Sequence, residues 1–299
     1  MGEKNRRKKI IKITGLLLCI LILTIYVLIP IGFGFYATLR FNHKIGDPPE
    51  GFFDITLKST DGTSLSAWYK STQNGAAIIL LHGSTASRER IRGYAEMLSR
   101  HGYGVLAYDM RGHGESGGDG VNAYGWNGTE DVRAAVEYLQ HQKDIKSIGG
   151  LGISLGGEVL LGASASLRQI KAIVSDGASY RSLEDYLALP STKRSVMESF
   201  TTRLMFRSAE FFGRGTPPEV IVDSVSKARD TSFLLIAAGK IKKEIEYNNL
   251  FYHAAKKRSE LWVAEGVGHI KAYSNYPDEY ENKLIKFYDD NLLETKSSK

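Results

Sequence analysis

Cysteine is almost absent from this chain: among 299 residues, Cys19 stands alone. That excludes an intramolecular disulfide and any metal site built on cysteine pairs. Charge is missing from one long stretch. Between Lys12 and Arg40 there is no Asp, Glu, Lys or Arg. Proline is scarce as well, seven in all, with Pro48 and Pro49 adjacent, so most of the chain is free to form regular elements. No stripe of alternating basic and aromatic residues occurs, and no partner nucleic acid is expected. The formal charge of +6 owes most to Lys4, Arg6, Arg7, Lys8, Lys9 and Lys12, and the remainder is close to neutral. A basic pI therefore says little about partners here.

The uncharged run 13–39 is long enough to cross a bilayer, which takes about 20 apolar residues. A cleavable signal peptide is the competing reading. Signal peptides have apolar cores of roughly 7–15 residues followed by a small-residue cleavage site. This core is longer, and no A-x-A follows it, so the run reads as an uncleaved anchor. Pro30 and the glycines after it are expected to kink or end the helix near the far interface. With the basic cluster on one side, the positive-inside rule puts residues 1–12 in the cytoplasm and the large domain outside, at the cell membrane.

Residues 40–50 read as a linker. From 51 to 293 strand and helix patterns alternate. "FDITLKSTDGTSLSAWYK" forms two alternating runs around Asp61-Gly62, a hairpin pattern. "AAIILL", "YGVLAYD", "KSIGGLGIS", "IKAIVSDGA", "TSFLLIAAG" and "SELWVAEG" are continuous apolar strands. Amphipathic segments fall between them, and "DEYENKLIKFYDDNLL" closes the domain. Buried strands separated by helices imply a mostly parallel central sheet with helices on both faces. One interval breaks this rhythm. Residues 179–229 lack a core strand and carry many aromatic side chains, and they are expected to form a helical cap insertion over the site. Residues 294–299 read as a tail.

"GLGISLGGE" crowds glycines around Ser154. As a dinucleotide fingerprint it fails, because Leu155 stands where the third glycine should be. As a P-loop it fails too, because Glu158 replaces the phosphate-binding lysine. Gly152-Ile153-Ser154-Leu155-Gly156 does meet G-x-S-x-G, the sharp strand-to-helix turn that exposes a nucleophilic serine. A serine hydroxyl is a weak nucleophile and needs a base with an orienting acid behind it. His269 follows the last strand in a short glycine-bracketed loop. Strand C-terminal ends share one edge of a parallel sheet, so Ser154 and His269 can meet there.

The arrangement resembles the α/β-hydrolase superfamily, and within it the esterase, lipase and serine-aminopeptidase-like members. The resemblance runs from about Phe53 to Leu293. "IILLHGSTASRER" is similar to the strand and loop that give half an oxyanion hole. "GYGVLAYDMRGHGES" is similar to the D-x-R-G-x-G-x-S signature, here Asp109, Arg111, Gly112, Gly114 and Ser116. "GLGISLGGE" resembles the nucleophile elbow, and "VAEGVGHIKAY" the histidine segment. The resemblance implies an α/β-hydrolase fold, Ser154 as nucleophile and His269 as base, and an oxyanion hole from the backbone N–H groups of Leu155 and Ser84.

The acid departs from the superfamily's pattern. Its usual place after "FLLIAAG" holds Lys240 or Lys242, and neither can orient an imidazolium. Glu244 is the first candidate, Asp176 at the end of the preceding strand the second, and Glu246 the third. The expected function is a membrane-anchored serine hydrolase that cleaves a carboxylic ester, amide or peptide bond, with a small-molecule or lipid-like acyl substrate and no cofactor or metal. The aromatic cap points to an apolar acyl group or aromatic side chain. The alternative is a non-catalytic domain of the same fold that binds a cell-surface ligand or partner.

Overall fold

All six residues of Ala76–Leu81 are buried, and their side chains alternate between two cores. Ile79 and Leu81 face one apolar cluster, while Ile78 and Leu80 face the other. A period of two on a sheet covered on both faces requires this division. In the computed structural model, which describes residues 2–293, this strand lies inside an eight-stranded sheet. The expected tail 294–299 lies outside the described residues.

The strands are β1 (Phe53–Lys58), β2 (Ser64–Lys70), β3 (Ala76–Leu81), β4 (Gly104–Tyr108), β5 (Ser147–Ile153), β6 (Ile170–Asp176), β7 (Ser232–Ala238) and β8 (Ser259–Ala264). Their spatial order is β1-β2-β4-β3-β5-β6-β7-β8. β1 and β2 pair antiparallel as the hairpin pattern predicts, and β2 meets β4 antiparallel. From β4 onward every pairing is parallel.

The helices are α1 (Gly2–Leu23), α2 (Ile29–Tyr36), α3 (Arg92–Arg100), α4 (Gly128–Gln140), α5 (Leu155–Ala163), α6 (Leu183–Ala188), α7 (Val196–Gly213), α8 (Ile221–Lys227), α9 (Lys242–Ala255), α10 (Ala272–Asn275) and α11 (Pro277–Leu292). Apolar faces of α4, α5, α8 and α9 fill one core. Those of α3 and α11 fill the other. This is the α/β-hydrolase fold that the resemblance implies.

Three expectations change. First, the helix does not end at Pro30. A π-helical turn at Thr24–Leu28 precedes the proline, and α2 continues to Tyr36. Local widening of this kind relieves the clash between a proline ring and the preceding turn. Asn5–Tyr36 is long and apolar enough to cross a membrane, with a mean hydropathy of 2.8 in its most apolar window.

Second, the interval 179–229 is not a single lid. α8 packs into the core against α5 and α9, and α7 lies along α2. Gly34 makes that second contact possible. A Cβ there would stand 2.2 Å from the Met205 carbonyl oxygen and 2.6 Å from Ser208 Cβ. Ser208 Oγ donates to the Ile31 carbonyl at 2.7 Å, and Phe35 meets Phe212 edge to face at 5.2 Å.

Third, residues 40–50 do not form a free linker. Arg40 donates to the carbonyls of Ser116 and Gly118. Phe41 exchanges backbone bonds with Gly112 and Gly114 and stacks on His113 at 5.1 Å. His43 Nε2 lies 2.7 Å from the Thr85 carbonyl, and Gly46 N donates to Glu89.

Candidate active site

β5 delivers Ser154 to the sheet edge at φ +54° and ψ −118°. An L-residue rarely occupies that region, and only a crowded turn holds it there. The neighbouring glycines show the crowding. A Cβ on Gly152 would lie 2.3 Å from backbone atoms of Gly156 and Gly157, and one on Gly156 would lie 2.5 Å from the Leu81 carbonyl oxygen. The turn closes only with glycine at both places, which is the physical content of G-x-S-x-G. Ser154 N donates to the Asp176 carbonyl at 2.7 Å, so the end of β6 supports the elbow from below.

His269 reaches Ser154 from the loop after β8. Its Nε2 lies 2.9 Å from Ser154 Oγ, and its Nδ1 lies 2.7 Å from Glu244 Oε2. Nδ1 therefore carries the proton donated to the carboxylate, and Nε2 is left to accept from the serine. The Glu244 hydrogen bond and charge raise the His269 pKa above its ordinary value, with burial acting in the opposite sense.

Glu244 sits in the first turn of α9 and is 2 % exposed. Its other oxygen accepts from Ala238 N at 2.5 Å. The helix begins shortly after β7 and aims its third residue at the histidine. The second candidate, Asp176, accepts from Tyr280 OH at 3.1 Å. Burial pushes its carboxyl up to about 7, with the Glu244 charge adding to the rise. It lies beneath the site, and Glu244 holds the imidazole Nδ1. The third candidate, Glu246, pairs with Lys193 at 3.2 Å.

The oxyanion candidates converge on the same place. A Cβ on Gly83 would come within 3.3 Å of Ser154 Cβ, so the loop after β3 passes directly over the serine. Neither Leu155 N–H nor Ser84 N–H has a hydrogen-bond partner among the described residues. The Ser84 hydroxyl faces away and donates to the Ala123 carbonyl at 2.9 Å. Two buried histidines fix this loop. His82 Nε2 accepts from Met110 N, and His113 Nε2 accepts from Thr85 N. Burial holds their pKa values down, at about 4 and about 3 respectively, so both remain neutral acceptors.

The D-x-R-G-x-G-x-S residues act as a brace. Asp109 accepts from Arg88 N, the Arg88 guanidinium and Glu115 N. Arg111 spans Asp131 and Asp61. Sequence reasoning gave Glu158 no role at the site. It is 6 % exposed and accepts from Ser179 N and Ser179 Oγ. Burial pushes its carboxyl up to about 7. Its position one helical turn after Ser154 was the available signal.

A cleft of about 590 Å³ opens onto Ser154 and His269. Ile91, Tyr94, Ile153, Ile270 and Tyr273 give it apolar walls, and Arg90 and Lys271 supply charge. Its lining comes from the loop after β3, the α3 region, the nucleophile turn and the histidine loop. The aromatic residues of 179–229 take no part in it. No group of His, Cys, Asp and Glu among the described residues is arranged to hold a metal ion.

A sheet edge carrying a strained serine, a histidine and a buried carboxylate defines an α/β hydrolase of the serine type. The chain belongs to the serine aminopeptidase, S33 family, whose model matches residues 72–230. It is 28% identical over 268 residues to the uncharacterized protein YfhR of Salmonella typhi, covering 82% of this chain and 84% of that one. Over a shorter stretch of 129 residues it is 30% identical to thiohydrolase aneE of Aspergillus aculeatus, 42% of this chain and 41% of that one. The esterase Pf2001 of Pyrococcus furiosus has a similar fold, with a TM-score of 0.64 at 23% identity over 83% of this chain and all of its own. The protein is an enzyme of the serine hydrolase type.

Proposed function

We propose that the protein is a membrane-anchored carboxylic-ester hydrolase working through an acyl-enzyme on Ser154. The continuous hydrogen-bonded line from Ser154 Oγ through His269 to Glu244 carries this reading. His269 Nε2 takes the hydroxyl proton as Oγ attacks the carbonyl. The carbonyl oxygen becomes an oxyanion facing the N–H groups of Leu155 and Ser84, each such donor contributing about 3–4 kcal/mol. Collapse expels the alcohol, which leaves with the proton from His269. Water then attacks the acyl-serine, His269 again takes and returns a proton, and the acid departs. Glu244 keeps the imidazole in the required tautomer and stabilises its cation.

The cleft favours an acyl ester over an aminopeptidase substrate. An α-ammonium group needs a carboxylate to receive it, and the charged residues lining this cleft are Arg90 and Lys271. Its apolar walls suit an acyl chain, and its volume lies in the range of roughly 300–1,000 Å³ common for small-molecule sites. The thiohydrolase name of the Aspergillus relative admits a thioester in the same role. The apolar helix supports attachment to a membrane. A series of p-nitrophenyl esters of increasing acyl length, run beside aminoacyl anilides, tests the proposal. Ester turnover with a chain-length optimum is expected. Faster cleavage of the anilides would reject it in favour of an aminopeptidase.

A further inference from the structure

The apolar run at the N-terminus meets two different surroundings. Its C-terminal part, α2, is packed on α7, with Pro30 and Gly34 buried. Further back, Leu16, Leu17 and Leu18 are exposed. Between these regions α7 continues beside the helix. Ser208 touches Ile31, while Val196, Met197 and Phe200 share a groove of about 550 Å³ with Cys19–Val27. The two helices thus run in the same direction, and the start of α7 is level with the middle of the apolar run.

The start of α7 is unusual for a soluble surface. Val196 is 89% exposed, and Met197 and Phe200 are exposed beside it. Every residue lining the groove is apolar or aromatic apart from Cys19. Immediately before it come Lys193 and Arg194. Lys243 reaches across to Glu198 at 3.3 Å, and Lys193 pairs with Glu246. Lys243, the residue before Glu244, therefore stands near this apolar tip.

We propose that the first turns of α7 are a second membrane contact, with Val196, Met197 and Phe200 immersed in the acyl chains of the bilayer that α1 crosses. This rests on the membrane-anchor reading above. The occupant is lipid because the groove is continuous with the span: whatever surrounds Cys19–Val27 also surrounds the side chains facing them. Interfacial helices enter by about 5–10 Å. At that depth the hydrocarbon ends near Val27 and begins near Ile10, with Lys12 extending its long side chain to the inner headgroups. The length of that stretch falls within the range of about 17–25 residues for a span. α2 then stands above the hydrocarbon, docked on protein, and the Glu198–Lys243 pair lies on the side of α7 away from the groove. The anchor is accordingly shorter than 13–39 and displaced toward the basic N-terminus.

The full-length chain with Cys19→Ser, reconstituted in phosphatidylcholine–phosphatidylglycerol vesicles, provides the test. Single cysteines are introduced as Val196→Cys, Phe200→Cys, Leu16→Cys within the span and Lys286→Cys on α11, and each is labelled with an environment-sensitive fluorophore. Quenching is read with phosphatidylcholine carrying a nitroxide on its acyl chain. Labels at 196 and 200 should reach at least roughly half the quenching seen at 16, as shallow immersion requires, while 286 stays unquenched. If 16 is quenched but 196 and 200 behave like 286, the second contact is wrong and the anchor stands. Loss of quenching at 16 as well overturns both readings.

Discussion

Ser154, His269 and Glu244 form one unit, and their substitutions should not add. Ser154→Ala and His269→Ala are each expected to lower kcat by about 10⁴- to 10⁶-fold, with the double variant little worse than either single one. Steady-state ester hydrolysis, together with loss of fluorophosphonate labelling in Ser154→Ala, checks this. Near-normal turnover in either single variant would remove that residue from the mechanism. Glu244→Gln should cost on the order of 10⁴ in kcat, because the imidazole loses its orienting acceptor. Asp176→Asn should cost less, since Asp176 bonds Tyr280 and Glu244 holds His269 Nδ1.

The pH profile separates the two acids. Only neutral His269 can accept the serine proton, so activity should rise with pH as the imidazole deprotonates. Its midpoint is expected above the ordinary histidine value of about 6.5, because Glu244 raises the pKa. Glu244→Gln removes that main cause, and the midpoint should move down in the residual activity. An unmoved midpoint would mean that another group sets the histidine.

Among the elements, the contact between α2 and α7 offers a clean comparison. Gly34 has no room for a side chain, whereas nothing lies within 4 Å of a Cβ on Gly32. Gly34→Leu should destabilise the domain by about 1–3 kcal/mol through overpacking and lower the thermal midpoint in detergent. Gly32→Leu should leave it nearly unchanged. Equal midpoints for the two variants would show that the helices do not pack as described.

Much of the element pattern was legible in the sequence, for identifiable reasons. Buried parallel strands such as AAIILL announce themselves by continuous apolarity. The elbow was legible because its glycines are forced by backbone contact. Glu244 was reachable by elimination, but its place in the first turn of α9 was not, because the residues around it do not mark where that helix starts. The fate of 179–229 was hidden for a different reason. Its aromatic residues signalled packing without naming the partners, and these, Phe35 for Phe212 and Tyr247 for Tyr180, lie far away in the chain. Residues 40–50 misled through Pro48 and Pro49, whose linker-like look carries no information about Phe41 stacking on His113.

For the whole molecule, the asymmetry of basic residues predicts orientation. Protease added to intact cells or right-side-out protoplasts should digest the domain, as an N-terminus held in the cytoplasm by the positive-inside rule requires. Digestion confined to lysed cells would reverse the topology. A mature chain beginning near Thr38 would replace the anchor with a signal peptide.

The fastening of Arg40, Phe41 and His43 to the loops around the site bears on where the enzyme can work. A loosely tethered hydrolase sweeps a hemisphere and samples whatever dissolves nearby. On the proposed anchor the tether has no slack, so Ser154 would be held at one altitude above the span. Encounter then becomes a two-dimensional search. Turnover of a lipid-soluble ester should track its mole fraction in the surface and fall when inert lipid dilutes that surface at constant bulk concentration.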